Sequence, residues 1–130
     1  MITLLKVIYL ISVAFIPLLL IVIGKIYEKY PSKEPNIAIG FRTKLSMMNK
    51  ETWDYAQRLF PKVWISLGRI ILPLSLIILF LLYSEDKDYT GNLALILILV
   101  QVVLMLGSIL YVNLKLKKAF NSDGSRKEIQ

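Results

Sequence analysis

The chain alternates long uncharged apolar stretches with short charged ones. Residues 7–24 lie between Lys6 and Lys25 without a charge, residues 70–84 follow Arg69, and residues 89–114 separate Asp88 from Lys115. About 20 consecutive apolar residues are enough for a helix to cross the ~30 Å hydrocarbon layer of a bilayer. The pattern therefore predicts three transmembrane helices, over 4–26, 63–83 and 93–112, within a single membrane domain covering 1–130. A cleaved signal peptide is the competing reading of the first stretch. Signal h-regions usually run only about 7–15 residues, and this stretch is longer, so it is taken as a span.

The polar segments supply the rest of the architecture. Residues 27–62 form a loop in which Pro31 and Pro35 exclude helix and Asn36 to Gly40 reads as a short extended piece. Asn49 suits a helix N-cap, and Glu51 sits favourably in the first turn that follows. Trp53, Ala56, Phe60 and Trp64 recur at helical spacing with polar residues elsewhere around the wheel, which predicts an amphipathic helix lying on the membrane surface and bending into the bilayer at Pro61. Residues 84–92 form an acidic turn. The tail, 113–130, is polar and is expected to fray. The fold class is an all-α membrane protein: three transmembrane helices, with a surface helix in the loop before helix two.

Composition agrees, with 56% hydrophobic and 19% charged residues and a mean hydropathy of +0.62. The net charge of +7 would suggest nucleic acid in a soluble protein. Here its distribution gives another reading and no nucleic-acid partner. The segment 25–62 holds eight basic residues and the tail five, whereas only Lys6 and Lys87 lie on the other side. Basic residues gather in cytoplasmic loops, so the N-terminus is expected outside and the C-terminus in the cytoplasm, across the plasma membrane of the cell. Histidine and cysteine are absent, which removes imidazole or thiolate metal ligands, Cys nucleophiles, disulfides and Ser-His-Asp catalysis. No cofactor or metal is expected.

Two polar residues fall inside spans. Arg69 costs roughly 2.5–3.5 kcal/mol at a span centre, but it lies only about 9 Å along the helix from Val63 and can snorkel to the headgroups. The other view of Arg69 is a polar pocket opened by helix kinks, since Pro73 frees its carbonyl and Pro17 frees that of Val13. Gln101, mid-span in the third helix, needs a hydrogen-bond partner on another helix.

The loop carries the densest chemistry, in Asn36, Gly40, Arg42, Thr43, Lys44, Ser46, Asn49 and Trp53. Glycine permits close backbone approach, the cations and hydroxyls offer donors, and a helix start at Asn49 adds free N–H groups. Arg42 is expected to reach inward, to helix-end carbonyls or an anion. An anion site at headgroup level, for a lipid phosphate or a partner's carboxylate, and a plain capped loop are both compatible with these residues.

The pattern Asn36-x-x-x-Gly40-x-Arg42-Thr43-x-x-Ser46-Met47-x-Asn49-x-x-x-Trp53-x-x-Ala56, with Phe60 and Gly68 beyond it, resembles the signature loop of the SdpI/YfhL family. The resemblance implies a three-helix integral membrane protein, most often of a Gram-positive bacterium, similar to immunity proteins against the sporulation-delaying toxin. In that relative the protein also signals, by holding a small repressor at the membrane. The sequence shows one span before the motif where that relative has an additional spanning region, and the resemblance is expected to be to the short stand-alone members.

The expected function is thus non-enzymatic protection against a membrane-active peptide toxin, with membrane lipids, the toxin and a cytoplasmic regulator as partners and a homo-oligomer left open. The alternative is a phospholipid- or anion-binding protein, or a lipid-modifying one, in which Arg42, Lys44 and Arg69 hold a phosphate. Glu51 and Asp54 read as exposed helix acids rather than a catalytic base. A transporter ranks third, because three helices enclose no path without oligomerisation.

Overall fold

The computed structural model describes residues 4–31 and 42–127. It contains three helices, α1 (Leu4–Lys29), α2 (Lys50–Leu82) and α3 (Lys87–Ala119), each long and apolar enough to cross a membrane. Their outer faces are apolar to a degree that water would not tolerate. Phe80 is 82% exposed and Phe15 60%, with a ring of exposed Leu, Ile and Val around them. Such a surface is solvated by lipid tails, and the chain is a multi-pass membrane protein.

The helices run antiparallel in sequence. Gly24 faces Pro61 and Gly68 faces Pro17 across the α1–α2 contact, while Trp64 Nε1 donates to Ser108 Oγ at 3.0 Å between α2 and α3. A tight turn joins α2 to α3. Asp86 caps α3 by accepting from the Asp88 and Tyr89 amides, and the Thr90 hydroxyl donates back to the Ser84 carbonyl at 2.6 Å. The start of α1 is pinned to this turn by Tyr9, whose hydroxyl donates to the Lys87 carbonyl at 3.2 Å.

At 33 residues each, α2 and α3 are about 50 Å long, against ~30 Å of hydrocarbon. α3 continues past its apolar stretch at both ends, over 113–119 and over 87–92, so that the expected 84–92 turn is helical from Lys87. In α2 the excess is residues 50–62, at the basic end beside 113–119. Here the structure departs from the expected surface helix. Residues 50–62 are not a separate element on the membrane; α2 runs unbroken through Pro61 into the second span. The reason is packing. Ala56 and Phe60 are buried against Leu45 from the loop and Val112, Leu116 and Phe120 from the extended α3. With a protein partner for its apolar face, the segment stands upright beside α3, and one proline-deleted hydrogen bond is outweighed.

Mid-membrane, Gln101 ties the three helices together. Its Nε2 donates to the Val13 carbonyl on α1 and to Ser75 Oγ on α2, both at 2.9 Å. Pro17 explains why that carbonyl is available: proline has no N–H to donate to the residue four positions before it. Gln101 Oε1 is buried without a partner among the described residues, which offsets part of the benefit. Hydrogen bonds between membrane helices average only ~0.6 kcal/mol and reach ~1.7, so Gln101→Leu is expected to cost about 1 kcal/mol. Pro17→Ala restores an in-helix donor to Val13, and in that background the same substitution should cost measurably less. Unfolding of the four proteins by SDS titration in mixed micelles closes the cycle. Identical costs in both backgrounds would show that the amide does not serve that carbonyl.

Candidate functional site: the tied loop and tail at the basic end

The described part of the loop before α2, residues 42–49, is held by hydroxyls rather than by regular structure. Ser46 Oγ accepts from the Thr43 amide at 2.8 Å and donates to the Thr43 carbonyl at 2.9 Å, and Thr43 Oγ1 accepts from the Ser46 amide at 3.2 Å. Thr43 Oγ1 also donates to Asn113 Oδ1 at 2.9 Å, anchoring the turn to α3. Leu45 and Ser46 are buried beneath it.

Asn49 then starts α2 with a reciprocal cap. Its Oδ1 accepts from the Thr52 amide at 2.9 Å, and Thr52 Oγ1 accepts from the Asn49 amide at 3.1 Å. The free end of the same carboxamide, Nδ2, donates to the Gly124 carbonyl at 2.8 Å. Asparagine is the suitable cap for this task because it both accepts and donates; Asp and Ser cap equally well, but an ionised Asp has no donor to offer the tail.

As far as Lys127 the tail is therefore folded, not frayed. Phe120 and Arg126 form an antiparallel bridge, flanked by the Asn121 amide donating to the Ser125 carbonyl and the Lys127 amide to the Ala119 carbonyl. Gly124 turns the chain at φ +89°, and a Cβ there would lie 2.6 Å from Asn49 Nδ2. Glycine meets both the backbone angle and the space. Arg126 pairs with Glu51 at 3.1 Å, and Phe120 meets the Tyr55 ring edge-on at 5.6 Å. The Asp123 carboxyl is held below the usual carboxylate range by the Ser125 hydroxyl and then by the Ser125 amide. A lowered pKa contributes to the turn above the ordinary Asp value and is lost as pH falls through the folded value, so the turn is fully supported at neutral pH.

Of the residues singled out in the sequence, Thr43, Ser46 and Asn49 meet in this unit. Trp53 is fully buried just beyond the cap. Asn36 and Gly40 lie outside the described residues. Arg42 is exposed instead of turned inward, and the nearby carbonyls of Thr43, Ser46 and Asn49 are served by the hydroxyls of Ser46 and Thr52. Lys44 is exposed beside the tail. Arg69 is exposed on the outside of the bundle, about 28 Å along α2 from its start, so it shares no phosphate site with Arg42 and Lys44 and reads as a snorkelling anchor. Gln101 is the interhelical tie.

Sequence reasoning missed Thr52, Asn113, Phe120, Gly124 and Arg126. Thr52, three residues after an Asn cap, was a usable signal for a capping box, as was Asp123-Gly124 for a turn. Among the described residues no three His, Cys, Asp or Glu side chains cluster as a metal site.

No curated protein and no solved structure matches the chain. The family model described as the SdpI/YfhL protein family matches residues 33–112, from the segment before the loop motif to the apolar end of α3. That match covers more than half of the chain and takes in the loop, the Asn49 cap and two of the three helices, and the chain belongs to the SdpI/YfhL family.

Proposed function

We propose that this protein protects its cell against a membrane-active peptide toxin without catalysing a reaction. Family membership carries the reading. It is supported by a loop and tail joined into one ordered surface at the basic end, a form suited to contacting a partner, and by a sequence with no His or Cys for nucleophilic or metal chemistry. Membrane lipids surround the spans, the toxin is the agent resisted, and a cytoplasmic regulator is the proposed reader of the exposed loop residues Arg42 and Lys44. Expression in a sensitive Gram-positive host is expected to raise tolerance to such a peptide. Unchanged sensitivity across a panel of membrane-active peptides, with the protein verified in the membrane, would overturn the assignment.

In this proposal the loop and tail face the cytoplasm, as the basic asymmetry requires. Exposed positions at opposite ends test it, because the chain has no native thiol. A membrane-impermeant reagent applied to intact cells should label Glu85→Cys and spare Lys118→Cys. The reverse pattern would place the loop outside and remove the cytoplasmic regulator.

A further inference from the structure

Between the loop and the tail lies an open cavity of about 600 Å³. Lys44 from the loop, Lys117 from α3 and Lys127 from the tail line it, and Leu45 and Phe120 contribute apolar wall. No acidic side chain lines it. The two carboxylates near the start of α2 are already engaged, Glu51 by Arg126 at 3.1 Å and Asp54 by Lys50 at 3.6 Å. Three lysines therefore line one space with no acidic residue in its wall, an excess of positive charge that an entering anion would neutralise. Asn113, also in the wall, has its carbonyl oxygen occupied by the Thr43 hydroxyl, which leaves its amide N–H groups to donate.

Depth selects the kind of anion. Asn113 follows the last residue of the apolar stretch 93–112, and Lys117 stands about 6 Å further along the helix. That interval is the headgroup layer, which begins where ~30 Å of hydrocarbon ends. A site at this level with a cationic rim and an apolar wall matches a phosphate that carries a hydrophobic substituent. Basic pockets beside membrane helices bind anionic headgroups in this manner.

We propose that this cavity binds the headgroup phosphate of an anionic phospholipid. The ligand joins the loop to the tail through Lys44 and Lys127, so lipid occupancy strengthens the tie made by Asn49 and Gly124. The site goes beyond toxin protection and stands or falls separately from it.

The full chain, purified in a neutral detergent, is titrated with phosphatidylglycerol, phosphatidylcholine, glycerol 3-phosphate and inorganic phosphate, and bound ligand is read by native mass spectrometry. Phosphatidylglycerol is expected to bind in preference to phosphatidylcholine, and neither soluble phosphate should displace it at equal concentration. Lys44→Gln, Lys117→Gln and Lys127→Gln should each weaken phosphatidylglycerol binding roughly fivefold, the scale of one lysine near an anionic surface. Lys118→Gln removes the same charge from an exposed position of α3 outside the cavity and should change binding less than twofold. Thermal unfolding of each variant without lipid verifies the fold, and Lys44→Arg should keep the preference for phosphatidylglycerol. Equal weakening by all four glutamine variants would overturn the site in favour of diffuse surface charge. Displacement by inorganic phosphate would overturn the lipid source.

Discussion

Gly68→Val is expected to force α1 away from α2 and to lower the unfolding free energy of the bundle by about 1–3 kcal/mol, the range for overpacking a tight interior. A Cβ at this position would lie 2.6 Å from Ile21 Cγ1 and 2.7 Å from the Pro17 carbonyl oxygen. The isoleucine can rotate aside, but the carbonyl belongs to the backbone and cannot. Gly24 repeats the arrangement from the other helix, with a Cβ 2.9 Å from the Pro61 carbonyl oxygen and 2.7 Å from Ile65 Cγ1. Lipid tails are as apolar as leucine, so close packing of this kind, rather than hydrophobic burial, holds membrane helices together. Gly24→Val combined with Gly68→Val should then lose most of the α1–α2 association. Gly107→Val is the control, because nothing lies within 4 Å of the Cβ it would gain. Resistance to SDS or heat in micelles is the measurement. A loss for Gly107→Val as large as for Gly68→Val would show that the close approach is not what matters.

Ending the chain after Phe120 is expected to abolish protection while leaving the three spans folded. The truncation removes the Gly124 carbonyl that receives the Asn49 amide and the arginine that pairs with Glu51, so the loop loses its partner without any change inside the membrane. Asn49→Asp is the milder arm. It keeps an oxygen to cap α2 and loses the donor to the tail, so helix content by circular dichroism should hold while protease access to the tail rises. Asn49→Ala removes the cap too and should cost about 1 kcal/mol more. Full protection by the truncated protein, present at normal abundance in the membrane, would confine the functional surface to residues before Asn121.

The spans were legible because uncharged stretches of this length have few other uses, and the Asn49 cap was legible because capping depends on local residue type. Other features depend on register between distant segments. Pro17 marked the Val13 carbonyl as free and Gln101 marked itself as needy, yet they stand 88 positions apart, and only helix packing brings them together. The tail read as frayed because its polar residues bury little apolar surface; its order comes from a partner 75 positions away. Pro61 read as a bend because local chemistry disfavours it inside a helix, and the Leu45, Val112, Leu116 and Phe120 wall that holds the segment upright is invisible in the local sequence. Arg42 looked like an inward donor because helix-end carbonyls need donors, and at the carbonyls nearby the hydroxyls of Ser46 and Thr52 supply them.

The continuity of α2 has a mechanical consequence. From Lys50 to Lys62 the helix extends about 18 Å beyond its apolar stretch, and the Asn49 cap sits at the tip of that rod. Tilt of a membrane helix follows bilayer thickness, and a change of about 10° about the membrane boundary swings the tip sideways by roughly 3 Å. A change in bilayer thickness would thereby displace the loop and the tail tied to it, with no binding event at the loop itself.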